Sequence, residues 1–291
     1  MGFVSTLIER DGKHANPSLP QGLQELYGGD LHFPAAPDNR PYVIGNFVST
    51  LDGVVSYKIK GHSGGSTISD SDLGDRFTMG LLRASVDAVM VGSRTVHEVS
   101  SKHLWIPEYV YPEAKALFAD YRTGVLRKQQ NPLVVIVSGS GRLELGRAIF
   151  QTPEVRAIVI TTSAGREELV KAGATQLRSV DIQAIDSKSG NIDPQAILHL
   201  LQSQFGIRTI LHEGGPSLFG QFLAAEMVDE LFLTLAPQIA GRSLHTARLG
   251  IVEGVEFRPS TSPWFQLVAV KQRGEDLYLR YRRTGHHPSV A

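Results

Sequence analysis

The clearest structural pattern in this chain is the stretch Leu211-His212-Glu213-Gly214-Gly215-Pro216-Ser217-Leu218. A strand ends within it, two glycines follow, and a helix begins at Pro216 with apolar residues along one side. Glycines let the backbone approach a ligand closely, and the first free N–H groups of a helix form a small anion site. The pattern is typical of a pyrophosphate site at the end of a parallel strand, and it is also compatible with a tight turn that binds nothing.

The common phosphate-binding fingerprints do not fit this chain. No Gly-x-Gly-x-x-Gly follows the first strand. Gly215 and Gly220 have the spacing of a phosphate loop, but Gln221 stands where that loop has its lysine. The sequence therefore argues against an ordinary Rossmann domain and against a nucleoside triphosphatase.

Apolar strand-like runs alternate with helical patterns on both sides of this stretch. We predict strands at 42–48, 86–91, 133–137, 157–160 and 209–211, and helices at about 164–172 and 193–205. A further helix opens at 69–72, where Ser69 can act as the cap and Asp72 can complete a capping box. Strands separated by helices of this length indicate βαβ units and a mostly parallel sheet.

The end of the chain follows a different pattern. One strand is predicted at 228–235, and two more at 264–270 and 276–281 are joined by Gln272-Arg273-Gly274-Glu275, which indicates a β-hairpin. We therefore expect an α/β fold with a mixed, mostly parallel sheet flanked by helices and finished by a C-terminal antiparallel hairpin.

Composition limits the kind of protein this can be. The chain has 291 residues, 42% hydrophobic and 20% charged, with a formal net charge of zero and no cysteine. These values argue against disorder, disulfides, thiolate chemistry and a nucleic-acid partner. The first residues do not resemble a secretory signal, and no apolar run approaches the ~20 residues that span a bilayer. We expect a cytoplasmic enzyme or binding protein that does not associate with membranes.

Three parts of the chain are distinguished by their local patterns. Residues 1–40 are expected to be an extension outside the main fold, because Gly28-Gly29 and the proline-rich stretch 34–37 interrupt regular structure. Residues 41–283 are expected to form the main domain, with an insertion at 100–130 around a helix near 113–121. Residues 284–291 are expected to be a flexible tail.

Three segments together resemble a known family. They are Asn46-Phe47-Val48-Ser49-Thr50-Leu51-Asp52-Gly53, the run from Leu82 to Val96, and Glu213 to Leu218 followed by Val228-Asp229-Glu230-Leu231. Their order and spacing resemble the pyrimidine reductases of riboflavin biosynthesis, across about residues 41–283. That resemblance implies a dihydrofolate-reductase-like fold, a homodimer, and hydride transfer from NADPH to the ribosyl C1′ of a phosphoribosylamino-pyrimidine.

The resemblance also implies roles for particular residues. Arg83 and Thr50 would bind the substrate, Arg83 through its phosphate, while Glu213 and Asp52 would be catalytic. The residues expected to hold NADPH are Gly92, Thr95, Ser138, Arg142, Thr161, Gly214, Gly215, Ser217 and Leu218.

Departures from the family pattern leave the substrate open. Val54, Val99 and Ile106 stand where the family has substrate-side polar residues. The substrate is therefore the riboflavin intermediate, dihydrofolate, or another pyrimidine or pterin. Lys102 and His103 are candidates to supply charge for a different anionic substrate.

Two other classes of function are weighed against the reductase. A nucleotide-binding module that has lost catalysis would keep the cofactor residues alone. Gly61-His62-Ser63-Gly64-Gly65 formally matches the serine-hydrolase elbow, but that motif needs a helix directly after the serine, and here the predicted helix starts later. The histidines are scattered without a His-Glu-x-x-His pattern, so no metal site is expected.

Overall fold

Short runs of β-branched and aliphatic residues, such as Leu133–Val137 and Ala157–Thr161, are apolar on both faces, and they become central strands because only a sheet covered on both sides buries them. The computed structural model describes residues 3–12, 19–59, 61–187 and 191–285. Its strands are β1 (Ser5–Glu9), β2 (Tyr42–Thr50), β3 (Ala88–Gly92), β4 (Leu133–Val137), β5 (Ala157–Thr161), β6 (Val180–Ala184), β7 (Thr209–His212), β8 (Glu230–Ala236), β9 (Trp264–Arg273) and β10 (Asp276–Thr284).

The helices vary in length from a single turn to more than three. They are α1 (Gln21–Tyr27), α2 (Leu73–Ser85), α3 (Ser93–Glu98), α4 (Pro107–Val110), α5 (Lys115–Asp120), α6 (Ala148–Gln151), α7 (Ser163–Lys171), α8 (Pro194–Phe205) and α9 (Pro216–Ala224), with a π-helical turn at Tyr121–Val125 and 3₁₀ turns at Gly65–Thr67, Pro112–Ala114 and Ala174–Gln176. In the ranges that the structure describes, no helix is both long and apolar enough to cross a bilayer.

All the strands belong to one sheet of order β1-β9-β10-β8-β2-β7-β3-β4-β5-β6. The pairs from β8 to β6 along this order are parallel, whereas β10 is antiparallel to both β8 and β9, and β1 is antiparallel to β9. The predicted mixed, mostly parallel sheet with its C-terminal hairpin is confirmed. The hairpin turns at Gly274, whose φ of +58° is the left-handed conformation that glycine adopts without strain.

Helices cover both faces of the sheet and enclose a core on each. On one face, α2 and α5 bring Phe77, Leu81 and Phe118 against the sheet. On the other face, α8 and α9 contribute Leu201 and Phe219 to a second cluster. Both clusters are built from side chains with almost no exposed surface, which is the arrangement expected when helices flank a parallel sheet.

The expectation that residues 1–40 lie outside the main fold is wrong for their described part. Strand β1 pairs with β9 at the edge of the sheet, and Leu23 and Tyr27 of α1 are buried in the core. Asp11 forms ion pairs with Arg280 at 3.0 Å and with Arg282 at 2.9 Å. The sequence pattern missed β1 because most of its side chains are exposed, so it shows no alternation of apolar and polar residues.

Several boundaries differ from the sequence prediction. Helix α2 starts at Leu73, and its cap is Asp72, whose carboxylate accepts from the N–H of Asp75, rather than Ser69. Asp70 and Ser71 have φ of +47° and +58°, so the backbone between Ser69 and the helix is not helical. The helix expected near 113–121 is confirmed as α5 with its flanking turns. Of the predicted tail 284–291, residues 286–291 lie outside the described residues, and Thr284 still belongs to β10.

Candidate active site

A deep cleft of about 1220 Å³ opens at the carboxyl ends of the central parallel strands. Ligands of open parallel sheets bind at this edge, because loops and helix N-termini converge there. The predicted site residues that line the cleft are Arg83, Gly92, Thr95, Glu213, Gly215, Ser217 and Leu218.

The turn between β7 and α9 forms a cradle of backbone atoms. A Cβ on Gly214 would lie 2.9 Å from the Cα of Val91, so only glycine lets this turn pack against β3. Gly215 has a φ of +60°, and Pro216 takes the first helical position. The N–H of Phe219 makes the first intrahelical bond, to the carbonyl of Gly215, which leaves earlier N–H groups of the helix for an anion. The cradle therefore fits the pyrophosphate of a dinucleotide.

Side chains at the end of β5 donate hydrogen bonds to backbone carbonyls that follow β4. The Thr161 hydroxyl is fully buried and donates to the carbonyl of Ser138 at 2.6 Å, and Thr162 donates to Gly139 at 2.8 Å. Ser138 is 1% exposed, and its Oγ has no hydrogen-bond partner among the described residues. Gly139, next to Ser138, lines the cleft. The orphaned hydroxyl of Ser138 is thus available near the cleft, whereas that of Thr161 is already used.

Arg142 lies outside this cleft. It is exposed and borders a smaller depression of about 370 Å³ together with His97 and Glu168. Arg142 therefore does not line the large cleft, although the turn that carries it begins at Ser138, whose carbonyl accepts from the N–H of Gly141.

Arg83 and Glu213 form a buried ion pair in the wall of the cleft. The Nε and Nη2 groups of Arg83 donate to the two carboxylate oxygens of Glu213 at 2.8 and 2.7 Å. Nη1 donates to the carbonyls of Leu104 and Ile106 at 3.3 and 3.2 Å. The side chains are 1% and 7% exposed, respectively. Arg83 is thus held by protein groups rather than left free in the cleft.

Asp52 and Thr50 do not line the cleft. Thr50 is fully buried and donates to Asp52, and the carboxylate of Asp52 also accepts from the N–H groups of Ala240 and Gly241. The Thr50 hydroxyl, followed by the Ala240 N–H, lowers the pKa of Asp52 to about 2. The carboxylate of Asp52 thus holds the loop after β8 in place through these two backbone hydrogen bonds.

The three departures from the family pattern occupy different environments. Val54 is fully buried and Ile106 is 8% exposed, and neither lines the cleft. Val99 does line it. The apolar residues at 54 and 106 therefore extend the core instead of facing a ligand.

The cleft also holds ionisable residues that sequence reasoning did not single out as site residues. Asp75 is 6% exposed, and burial raises its pKa to about 6. Arg76 lines the cleft beside it. The sequence could have indicated that Arg76 lies near the site, because Arg76, Met79 and Arg83 have the spacing of one helix face.

His103 is a cleft residue, but not one that supplies charge. Its ring centroid lies 4.5 Å from that of Trp105 and 4.6 Å from that of Tyr109. Burial, with the nearby Arg83, lowers the pKa of His103 to about 3, so the imidazole is neutral at physiological pH. Lys102 is exposed and does not line the cleft. The expectation that these two residues supply charge is wrong for His103.

The hydrolase-like motif 61–65 borders the cleft without forming an elbow. The Ser63 hydroxyl donates to the carbonyl of Ile59 at 3.0 Å, and only a 3₁₀ turn follows before α2. This geometry lacks the strand-serine-helix turn that exposes a nucleophile. Within the described ranges, no group of histidine and acidic side chains is arranged to hold a metal ion.

Comparison with known sequences assigns the family. The sequence model described as the RibD C-terminal domain matches residues 41–279. The 2,5-diamino-6-ribosylamino-4(3H)-pyrimidinone 5′-phosphate reductase of Archaeoglobus fulgidus is 28% identical over 202 residues, which are 69% of this chain and 83% of that protein. The enzyme of the same name from Methanothermobacter thermautotrophicus is 28% identical over 251 residues, which are 84% of this chain and 100% of that protein.

Solved structures share the fold. A pyrimidine reductase-like protein from Corynebacterium diphtheriae has a TM-score of 0.64 at 19% identity, over 85% of this chain and 94% of that chain. RibD from Acinetobacter baumannii has a TM-score of 0.60 at 24% identity over 85% of this chain, which spans 59% of the length of that RibD chain. The match over residues 41–279 shows that this chain belongs to the RibD C-terminal domain family.

Proposed function

We propose that this protein is an NADPH-dependent reductase of a ribosylaminopyrimidine phosphate, acting at the ribosyl C1′. The observation that carries the proposal is one cleft that contains both a backbone cradle and a buried ion pair. The backbone cradle at Gly214-Gly215 lines the cleft, and the ion pair of Arg83 with Glu213, the residue that directly precedes the cradle, lies next to it. The similarity to reductases of this substrate class supports the same reaction.

The residues of the cradle would hold NADPH, which supplies the hydride when bound. The open N–H groups at the start of α9 would take the pyrophosphate, with Thr95 beside Gly215. Ser138 Oγ, which has no partner among the described residues, would face the adenosine end. The residues around the cleft would exclude water and align the cofactor with the substrate carbon.

Glu213 is suited to act on the substrate side. Its carboxylate is fixed by two hydrogen bonds from Arg83, so it needs little reorganisation during the reaction. We propose that it stabilises the positive charge that develops at C1′ before reduction. Asp52, which is fastened to the loop after β8, would keep the shape of the adjoining turn rather than touch the substrate.

Turnover assays with alternative substrates, each measured separately, test this function. The loss of NADPH absorbance is followed with 2,5-diamino-6-ribosylamino-4(3H)-pyrimidinone 5′-phosphate, with 5-amino-6-(5-phosphoribosylamino)uracil and with dihydrofolate. We expect turnover with a ribosylaminopyrimidine phosphate. Turnover with dihydrofolate alone would favour a pterin reductase, and tight NADPH binding without any turnover would favour a nucleotide-binding module.

The expected homodimer is part of the same proposal. Sedimentation analysis of the purified protein, with and without NADPH, tests it directly. A species of one chain at all concentrations would contradict it.

A further inference from the structure

If the substrate carries a phosphate, the cleft needs a cation to bind it, and Arg83 is poorly placed to provide that cation. Both of its carboxylate-facing nitrogens are engaged with Glu213, and its remaining nitrogen contacts two backbone carbonyls. A phosphate would have to displace Glu213 from a pair that is almost wholly buried. Such a displacement would leave a buried carboxylate without its partner, which is strongly unfavourable.

Arg76 is a second arginine on the same face of α2. Arg76, Met79 and Arg83 all line the cleft, and they lie three and seven residues apart, as expected for one side of a helix. The Nε of Arg76 donates to the carbonyl of Val110 at 2.7 Å, which fixes the side chain where α4 packs against α2. Arg76 is only half-buried, so its guanidinium keeps access to the cleft.

The acidic groups near Arg76 are engaged elsewhere. Asp72 forms an ion pair with Arg273 and accepts from the hydroxyl of Tyr278. The carboxyl of Asp75 is hydrogen-bonded to Thr234 and Ser69, and burial raises its pKa. Arg76 makes no ion pair with any residue in the part of the chain that the structure describes. Its Nη groups therefore retain donors for an external anion.

We propose that Arg76 binds the phosphate of the ribosyl phosphate substrate, while the Arg83–Glu213 pair forms a fixed wall beside the reacting carbon. A guanidinium suits this task because its paired N–H donors match the oxygens of a phosphate. The inference rests on the proposed function, and it assigns substrate specificity to a residue outside the motifs that resemble the family.

Kinetics with paired substrates test the role of Arg76. The preferred ribosylaminopyrimidine phosphate and its dephosphorylated nucleoside form are compared for the unaltered protein, Arg76→Gln and Arg76→Lys. Losing a charge-assisted hydrogen bond should lower kcat/KM for the phosphate about 10- to 100-fold. The nucleoside should be affected little, and Arg76→Lys should recover part of the loss because it keeps the charge.

Control variants separate this role from a structural one. Arg166→Gln replaces an exposed helix arginine outside the cleft and should leave both substrates unaffected. A thermal melt checks that Arg76→Gln is folded. An equal loss of kcat/KM for the phosphate and the nucleoside would overturn the assignment. So would an Arg83→Met variant that folds and loses only the preference for the phosphate.

A binding experiment keeps this test independent of turnover. Ribose 5-phosphate and ribose are titrated into the protein saturated with NADP⁺, and the heat of binding is measured. We expect ribose 5-phosphate to bind the unaltered protein and to lose about 10-fold or more in affinity in Arg76→Gln. Failure of every turnover assay would contradict the proposed function, whereas unchanged binding in Arg76→Gln would contradict the role of Arg76.

Discussion

Replacing Arg83 by methionine should destabilise the protein severely, because it leaves Glu213 charged and unpaired in the wall of the cleft. Breaking a buried ion pair by removing one partner costs about 3–5 kcal/mol. Glu213 borders the cleft, so water can reach one side of it and the lower part of that range applies. The lost hydrogen bonds to the carbonyls of Leu104 and Ile106 add about 1–2 kcal/mol. We therefore expect Arg83→Met to lower the free energy of unfolding by about 4–6 kcal/mol.

The double variant Arg83→Met/Glu213→Gln should recover much of this loss. Neutral glutamine no longer leaves a charge buried, so only the carbonyl hydrogen bonds remain unmade. We expect the double variant to be more stable than Arg83→Met by about 3 kcal/mol, although it should lack turnover. Glu213→Gln alone should cost about 2–3 kcal/mol, because one amide oxygen still accepts from Arg83.

Urea unfolding followed by circular dichroism measures these differences, with the slope of each transition compared to exclude a change in the unfolded state. The matched control is the exposed pair Arg156–Asp181, whose side chains are 60% and 42% exposed at an N–O distance of 2.9 Å. Arg156→Met should change stability by less than about 1 kcal/mol. A cost below about 1 kcal/mol for Arg83→Met, or a double variant no more stable than Arg83→Met, would refute the fixed ion pair.

Three further outcomes follow from the same structure. Gly214→Ala should weaken NADPH binding and lower the free energy of unfolding by about 1–3 kcal/mol, because its Cβ would lie 2.9 Å from the Cα of Val91. Fluorescence titration measures the affinity and urea unfolding measures the stability. An unchanged affinity for NADPH would contradict the role of the cradle. The pKa of Asp75 is raised to about 6, so stability should fall as pH rises from about 4 to about 6, and Asp75→Asn should remove that slope in unfolding curves taken across this window. Burial lowers the pKa of Lys271 to about 8, so the free energy of unfolding should rise with pH from about 8 to about 10. A Lys271→Met variant whose stability has the same dependence on pH would contradict this prediction.

Features that depend on neighbouring residues could be predicted from the sequence. The Gly214-Gly215-Pro216 turn needs only local backbone geometry, and the apolar strand runs reveal the parallel sheet because both faces are covered. The sequence is compatible with Asp72 as the cap of α2, but the residue types do not indicate the positive φ of Asp70 and Ser71. Backbone conformations of this kind are imposed by packing and not by local preference.

Features that join distant residues could not be predicted in the same way. Arg83 and Glu213 are 130 positions apart, and each alone looks like a residue available to a ligand. Their pairing follows from the adjacency of β3 and β7, which brings the end of β7 close to the helix that precedes β3. Strand β1 escaped detection for a related reason, since an exposed edge strand gains its stability from pairing with β9 rather than from its own pattern.

The position of the positive charge in the cleft connects these observations. Val54 and Ile106 place apolar core residues at two positions expected to be polar, and Glu213 engages Arg83, so these residues alone offer no free cation to a phosphate. Arg76 lies two turns along the same helix and has no ion-pair partner among the described residues. A shift of the anion-binding charge along α2 would keep a phosphorylated substrate in the cleft without the expected residues. The substitutions at 54 and 106 are therefore compatible with retained specificity for a phosphate, bound at a different point of the same helix.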